Sequence, residues 1–307
     1  MANEIRFSTA TDLVLVRTLT QEISLLLADR ADLWGHPAIT YVGDLAGSGS
    51  TARDVALAGL DGYDLMAAVA EGSGPSNTDL TDASPAITIA RQALQRELSG
   101  ILESVQAVGL TVPRLAQDMV GAAGMRFTEM VANVADDFTN TVGSSGVDLS
   151  VDDFFDAQFT LTQASVDSPY LALLFPVQLT DLQNSIRAEG GALSYIAATQ
   201  DMLSIKGQGF AGSFNGVDLF TSSKVPTAGG GADSAGGMWG YGAIGYADGT
   251  RAPVEGPSGT IYPSGTKLWV ALDYNTNTDE TVIVGNYYVG VAILEQDRGV
   301  SIITDRT

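Results

Sequence analysis

The segment from residue 39 to residue 86 limits the fold more than any other part of the chain. Seven glycines lie between Gly43 and Gly74, alanine is frequent, and large apolar side chains are widely spaced. A segment of this composition buries too little apolar surface to form a core of its own. A stretch this long without its own core is usually functional or disordered. We therefore predict a long hairpin that is completed by packing on a neighbouring molecule.

The local pattern inside this segment indicates where the hairpin turns. Residues 51–60 alternate as a strand does, and Asp61-Gly62 follows as a typical two-residue hairpin turn. Residues 63–69 fit either the partner strand or a short helix.

Composition excludes most recognisable enzyme classes and several kinds of partner. The chain has no cysteine, which excludes disulfides, thiolate zinc sites and cysteine nucleophiles, and His36 is its single histidine. With 15 basic and 36 acidic residues, the net charge is 15 − 36 = −21. A pI near 4.1 argues against tight binding to the phosphates of nucleic acids or to an anionic membrane. Charged residues make up 17%, against a usual value of about 25%, which is typical of a protein that covers part of its surface with copies of itself.

The chain is long enough for one large domain or two intertwined domains. Its longest apolar run, residues 170–177, falls far short of the roughly 20 residues that span a bilayer, and residues 1–4 lack the basic start of a signal peptide. We therefore expect a soluble protein made in the cytosol.

Hydrophobic periodicity predicts mixed helices and strands. Apolar spacing predicts a helix over residues 8–30 that ends at Gly35 and Pro37, and a second helix over 111–137 with Thr111 as its N-cap. The second helix is long enough to act as a spine. Residues 87–108 fit a strand or a helix.

The second half of the chain alternates between helices and strands. Ser150 is expected to cap a helix, and Pro176 to begin another that runs through Arg187. Residues 227–237, with the sequence TAGGGADSAGG, read as a flexible tip. Strands are predicted at 170–175, 217–221, 238–246, 267–274, 281–294 and 300–303.

Two motifs resemble binding sites but lack the required context. Gly240, Gly242 and Gly245 spell GxGxxG, yet the residues that follow predict a turn instead of a helix N-terminus, and we interpret the glycines as part of a close-packed strand. Residues 273–279 resemble the start of a calcium loop, but the sixth position is Thr278 and the twelfth is Val284. A polar hairpin loop is the better interpretation.

The remaining candidates for chemistry have structural explanations. His36 lies at a helix exit and is interpreted as a capping or packing residue, because no partner motif surrounds it. The acidic pairs Asp136/Asp137 and Asp152/Asp153 lie at predicted helix ends, where carboxylates cap helices or face solvent. We therefore predict no catalytic, cofactor-binding or metal-binding residues and no enzymatic activity.

The order of these elements resembles the major capsid proteins of tailed bacteriophages, which have the Hong Kong 97-type fold. The resemblance covers essentially the whole chain. It lies in six stretches whose order matters more than any one of them: 43–51, 70–81, 87–93, 150–154, 179–183 and 214–226.

The resemblance implies an α+β fold with four parts. Residues 1–38 would be an N-terminal arm, 39–86 an extended loop over the adjacent subunit, 87–149 with 264–307 a peripheral domain containing the long spine helix, and 150–263 an axial domain. Residues 227–237 would be a loop at a capsomer centre or on the surface. The resemblance also favours a strand over a helix for residues 87–98.

The implied function is structural. The chain would assemble with itself into hexamers and pentamers of an icosahedral phage head, enclose double-stranded DNA without binding it tightly, and be part of a virion assembled in the host cytoplasm. The implied partners are a scaffolding protein, a portal protein and a decoration protein, with no membrane and no cofactor.

Two features depart from some members of the family. Residues 39–86 contain no lysine, so an isopeptide cross-link from this loop is not expected. The predicted arm begins almost at the first residue, so we expect a separate scaffold or none.

Two alternatives remain at this point. An encapsulin-type nanocompartment shell has the same fold and encloses an enzyme instead of a genome. A soluble α/β enzyme or carbohydrate-binding module that uses carboxylates alone is the alternative from another class.

Overall fold

The structure is a computed structural model. It describes residues 33–44, 51–55, 57–58, 71, 82–83, 85–99, 108–189, 195–206, 209–249, 268–275 and 280–307. The predicted helix at 8–30 and the predicted turn at Asp61-Gly62 lie outside these residues.

The described residues form helices and strands throughout the chain, as the α+β prediction requires. The strands are β1 (Ile39–Asp44), β2 (Ala52–Asp54), β3 (Leu57–Ala58), β4 (Asp82–Ala83), β5 (Ala86–Thr88), β6 (Ala90–Ser99), β7 (Thr141–Val142), β8 (Tyr170–Leu174), β9 (Tyr195–Ala197), β10 (Phe210–Phe214), β11 (Val217–Thr221), β12 (Thr227–Ala228), β13 (Asp233–Trp239), β14 (Ile244–Asp248), β15 (Leu268–Asn275), β16 (Glu280–Ile293) and β17 (Gly299–Asp305). The helices are α1 (Val108–Asp136), α2 (Val151–Gln163), α3 (Pro176–Ala188) and α4 (Gln200–Lys206).

The long apolar strand β16 is the centre of the first sheet. It pairs antiparallel with β6, β15 and β14, and β1 adds to β14 in parallel. The ambiguous segment at 87–108 therefore contains the strand β6, which confirms the choice of strand for residues 90–98. The predicted strands at 267–274 and 281–294 are also confirmed, with ends that differ by one residue.

Helix α1 is the predicted spine, and it packs against both sheets. At 1.5 Å per residue, its 29 residues make a rod of roughly 43 Å. Its buried side chains recur every three to four residues and include Met119, Phe127 and Val131. Gly285 of β16 allows the close approach, because a Cβ there would lie 3.2 Å from the sulfur of Met119.

The start of α1 differs from the prediction. The helix begins at Val108, so Thr111 lies inside it and is not the N-cap. Pro113 then falls in the second turn, where its missing N–H leaves the carbonyl of Gly109 without its usual helical donor. The predicted end at residue 137 is correct to within one residue.

Within the described ranges the second sheet has eight strands, and β13 lies near its centre. The strand order is β7-β17-β13-β8-β11-β10-β9, and β12 pairs with β13. Helix α2 begins at Val151, and Ser150 is its N-cap as predicted; the Ser150 hydroxyl accepts the N–H of Asp153 at 3.1 Å in a capping box. Helix α3 begins at Pro176 as predicted, and the strands predicted at 170–175, 217–221 and 300–303 are confirmed.

The prediction of a flexible tip at 227–237 is wrong for residues 233–237. Residues 227–228 form β12 and residues 229–232 an exposed glycine turn, whereas residues 233–239 form β13. Every residue of β13 is buried; the strand pairs with β17 along its whole length and with β8 at residues 237–239. Gly236 and Gly237 are there for close packing: a Cβ on Gly237 would lie 2.9 Å from the Cβ of Ala135 in α1. Gly237 is needed for a close contact with α1, whereas the run of glycines in the sequence by itself resembles a loop.

The predicted continuous strand at 238–246 is also wrong. It divides at Gly240 into β13 of the second sheet and β14 of the first. The turn needs its glycines, because Gly242 has a φ of +83° and a Cβ on Gly240 would lie 2.4 Å from Val166. One chain segment therefore links the two sheets.

The two sheets do not follow sequence blocks. The C-terminal strand β17 and the short β7 both belong to the second sheet, and β1 belongs to the first. The division into peripheral and axial domains stays a prediction. Among the described residues, no helix is both long enough and apolar enough to cross a membrane.

Candidate assembly surface

The chain that connects β1 to β6 of the first sheet contains the base of a hairpin, formed by β2, β3, β4 and β5. Strand β2 pairs antiparallel with β5, from Ala52↔Thr88 to Asp54↔Ala86, and β3 pairs with β4. Two further main-chain hydrogen bonds extend the ladder: Val55 N–H donates to the Pro85 carbonyl at 3.0 Å, and Ile89 N–H to the Thr51 carbonyl at 2.8 Å. The two sides of the ladder thus run from 51 to 58 and from 82 to 89.

This pairing corrects the predicted partner. A turn at Asp61-Gly62 would pair residues 51–60 with 63–69, but Leu57 pairs with Ala83 and Ala58 with Asp82. The pairing of residues 57 and 58 with 82 and 83 thus spans more of the chain than the predicted partner would. The ladder of β2 to β5 agrees with the predicted hairpin, whereas residues 39–44 of the predicted segment form β1 of the first sheet.

A small apolar cluster attaches the base of the hairpin to the body. Ile87 is fully buried against Ala247 and Leu294, with Val55 partly buried beside them. Gly290 of β16 allows this contact, because a Cβ there would lie 2.2 Å from the Thr88 carbonyl oxygen.

The hairpin has little else to stabilise it among the described residues. Ala86 and Thr88 are exposed on either side of Ile87, and Asp54 is exposed on the opposite strand. An isolated two-stranded hairpin is at best marginally stable in water. The hairpin therefore offers main-chain edges and faces on which another molecule can pack.

The segment before the hairpin is fixed by a polar contact. His36 is buried; its Nδ1 accepts the Ala38 N–H at 3.1 Å, so its Nε2 carries the proton and donates to Asp218 at 3.1 Å. Lys206 donates to both oxygens of Asp218, at 2.7 and 2.6 Å. His36 is thus a packing residue that joins residues 33–38 to β11, in agreement with its interpretation from sequence.

The charges of this contact determine how Asp218 titrates. Burial by itself raises the pKa of Asp218, but hydrogen bonds from His36 and Lys206 outweigh it and hold the pKa below the usual aspartate range. The rings of Phe210 and Phe220 flank the contact, with Lys206 Nζ 4.8 Å from the Phe210 centroid.

The acidic pairs lie at helix ends, as the sequence predicted. Asp153 caps α2 together with Ser150. Asp136 ends α1, and its pKa is raised by burial and by the adjacent Asp137. Among the described residues, no cluster of three or more histidine and carboxylate side chains could hold a metal ion.

The described residues of the GxGxxG and calcium-like motifs lie in turns and strands of the two sheets. Gly240 and Gly242 lie in the turn between β13 and β14, so a strand follows the motif where a dinucleotide site needs a helix N-terminus. The interpretation of these glycines as one strand was therefore wrong for two of the three. Asp273 and Asn275 end β15, whose antiparallel pairing with β16 fits the predicted polar hairpin, although residues 276–279 lie outside the described ranges.

An apolar cavity of about 230 Å³ lies between α1 and β6. Leu94, Met119 and Leu268 contribute to its lining, and Arg126 donates to the Gln92 side chain at 3.0 Å. The lining is mostly apolar, and two of its polar side chains, Arg126 and Gln92, bond to each other.

Sequence comparison does not assign the chain. No known sequence family and no curated protein matches it.

Structural comparison gives many matches across nearly the whole chain. The capsid of Ralstonia phage GP4 aligns at 13% identity with a TM-score of 0.57, covering 92% of this chain and 91% of that one. The capsid of cyanophage P-SCSP1u aligns at 12% identity with a TM-score of 0.58, covering 91% and 89%. The holo-SrpI encapsulin complex of Synechococcus elongatus aligns at 13% identity with a TM-score of 0.59, covering 94% and 89%. At these identities the likeness shows a shared fold, and the chain has the Hong Kong 97-type fold that the resemblance predicted.

Proposed function

We propose that this chain is the major capsid protein of a tailed bacteriophage. It would assemble into hexamers and pentamers of an icosahedral head that encloses double-stranded DNA. The observation that supports the proposal is the two-stranded ladder of β2 with β5 and of β3 with β4, which is attached to a body of this fold. Such a hairpin gains stability when an identical neighbour covers it.

The charge of the chain fits a container for DNA. With −21 per copy, the subunit lacks the clustered basic groups that neutralise phosphates. We expect binding of the isolated subunit to DNA to be weaker than micromolar at physiological salt, measured by fluorescence anisotropy. Because the copies repel one another, raising the salt from low to moderate concentration should speed assembly, since charges more than about 10 Å apart are screened at 0.1 M.

The other expected partners belong to the same proposal. A scaffolding protein, a portal and a decoration protein would act during or after assembly in the host cytoplasm, and the chain would end in the virion. The peripheral and axial domains keep their predicted bounds in this proposal, and no residue is assigned a catalytic role.

An encapsulin-type shell is the second candidate. The similarity to the SrpI encapsulin complex, at a TM-score of 0.59, is the observation that favours it. Such a shell would enclose protein cargo. Nucleic acid in purified particles supports the phage head, whereas a co-purified enzyme inside particles supports the nanocompartment.

Electron microscopy of the purified full-length chain tests both candidates against a soluble enzyme. Closed icosahedral particles are the expected result. A stable monomer or small oligomer under all assembly conditions, with a turnover that is lost on substitution of one carboxylate, would overturn the proposal.

A further inference from the structure

We propose that the β9 end of the second sheet is a contact between copies of this chain, in which an extended segment of a second copy pairs with β9. The inference rests on the proposed function as a self-assembling shell protein. It names a contact separate from the hairpin.

Strand β9 is the last strand of the second sheet among the described residues, and it pairs only with β10 there. Ala198 N–H donates to the Ala211 carbonyl at 3.2 Å across this ladder. In an antiparallel pair, inward and outward main-chain groups alternate along the strand. The N–H and C=O groups of Tyr195 and Ala197 therefore face the outer edge of the sheet, where an extended chain can bond to them.

This edge is presented rigidly. The Tyr195 hydroxyl donates to the Ala211 carbonyl at 2.9 Å and accepts from the side-chain amide of Gln183 in α3 at 3.0 Å. Gly212 of β10, the ladder partner of Ala197, approaches β9 closely, since a Cβ on Gly212 would be 2.4 Å from the Ile196 carbonyl oxygen. Strand β9 is thus held in an extended conformation before any partner arrives.

Strand β9 is only three residues long, but its edge carries neither the charges nor the prolines that protect many edge strands. Soluble proteins block exposed edges with lysine, proline or inward-pointing charges. Residues 194–199 read Ser-Tyr-Ile-Ala-Ala-Thr and contain no charge and no proline. Ile196 is 52% exposed, and Ile205 of α4, the helix that packs on β10, is 71% exposed. An edge strand without charge, whose Ile196 side chain is half exposed, is expected to be covered in the assembled state.

A second copy is the occupant that fits this edge. The opposite end of the same sheet is β7, which pairs only with β17 among the described residues. One chain therefore has two different sheet ends among its described residues, as a head-to-tail contact between identical subunits requires, and such contacts close into rings when the rotation between neighbours divides the circle evenly. The lack of charge at β9 also spares this contact the repulsion expected between copies that each carry −21.

Ala197→Pro tests the edge directly. Proline removes the outward N–H of residue 197 but no hydrogen bond of the β9–β10 ladder, and proline is tolerated at such edge positions. We expect the fraction of full-length chain in particles, measured by sedimentation, to fall at least about tenfold, with an unchanged melting temperature of the unassembled chain. Ala197→Ser keeps the N–H and should assemble like the wild type. Normal assembly of Ala197→Pro would overturn the inference.

A second measurement does not depend on how the proline variant folds. Because the chain has no cysteine, Ile196→Cys introduces one unique thiol. We expect a maleimide to label this thiol at least about tenfold more slowly in assembled particles than in unassembled subunits. Equal rates would overturn the contact. If the wild-type chain forms no particles at all, the proposed function fails; if particles form and the edge stays reactive, only this inference fails.

Discussion

Two regions of this chain, strand β13 and the ladder of β2 with β5, contain many small residues but differ in how far they are buried. Strand β13, with the sequence DSAGGMW, has strands on both edges and is buried at every position. Strands β2 and β5 form a ladder only two strands wide, in which Ile87 is buried but Ala86 and Thr88 are exposed. Glycine and alanine therefore do not decide whether a segment is a core strand or a projecting hairpin. What differs is whether other residues of the same chain cover the segment.

Removal of residues 59–81 should have the largest effect. Because Ala58 pairs with Asp82, residues 59–81 can be replaced by Asn-Gly, which favours a two-residue hairpin turn. The body should keep its melting temperature, while the concentration needed for assembly should rise at least about a hundredfold. Sedimentation and circular dichroism measure the two quantities. If particles formed at the wild-type concentration, residues 59–81 would not be required for assembly, and the comparison would fail.

Gly237→Ala should damage the buried strand. The added methyl group would lie 2.9 Å from the Ala135 Cβ, so the helix or the sheet must shift. We expect the free energy of unfolding, measured in urea, to fall by about 1–3 kcal/mol. Gly35→Ala is the matched control, because nothing lies within 4 Å of its added Cβ, and it should change stability by less than about 0.5 kcal/mol. Equal midpoints for the two variants would show that β13 is not tightly packed against α1.

Asp218→Asn should change how stability depends on pH. The folded-state pKa of Asp218 is lowered, so its stabilisation is present above the unfolded pKa of about 3.9 and is lost as the pH falls through the folded value. The wild type should therefore lose more stability than the variant between pH 5 and acid conditions, and the variant should be less stable at pH 7. Urea unfolding of the unassembled chain measures the difference. Lys206→Met should weaken the same pH dependence, and a variant that follows the wild type at every pH would remove Asp218 from the account.

Arg96→Ala should have the smallest effect. Arg96 of β6 donates to Asp118 of α1 at 2.7 Å, but both side chains are 45% exposed. Exposed ion pairs contribute little, so we expect a change below about 1 kcal/mol in the free energy of unfolding. A larger loss would mean that the joint between β6 and α1 depends on this pair more than on the apolar contacts beneath it.

Local patterns predicted the elements whose signals agree with their surroundings. The capping serine of α2, the proline that begins α3 and the apolar run of β16 each placed an element correctly from a few neighbouring residues. For β6 the residues fitted two structures, and the family resemblance selected the strand.

Two of the errors share one cause. The glycines at 236 and 237 predicted a loop, although Gly237 allows a contact with Ala135 and Gly236 one with Gln178, both distant in sequence. Residues 63–69 were a candidate partner strand for 51–60, although Leu57 pairs with Ala83. Pairings and close contacts between distant residues are fixed by the whole fold, and a short stretch of sequence does not contain them.

The assembly surface was predictable in part. The shortage of large apolar residues over 39–86 predicted a hairpin that packs on a neighbour, because this segment offers too little apolar surface to bury within itself. The β9 edge gave no comparable signal, since residues 195–197 are too short and too ordinary in composition to be recognised before the sheet order is known.

Hydrogen exchange measured residue by residue, in unassembled subunits and in purified particles, tests the central claim most directly. The amides of β13 should be protected in both states, because the chain covers them itself. The amides of β2 and β5 should exchange rapidly in the unassembled subunit and at least about a hundredfold more slowly in particles. Full protection of β2 and β5 in the unassembled subunit would contradict the account, because the hairpin would then be stable without a second copy.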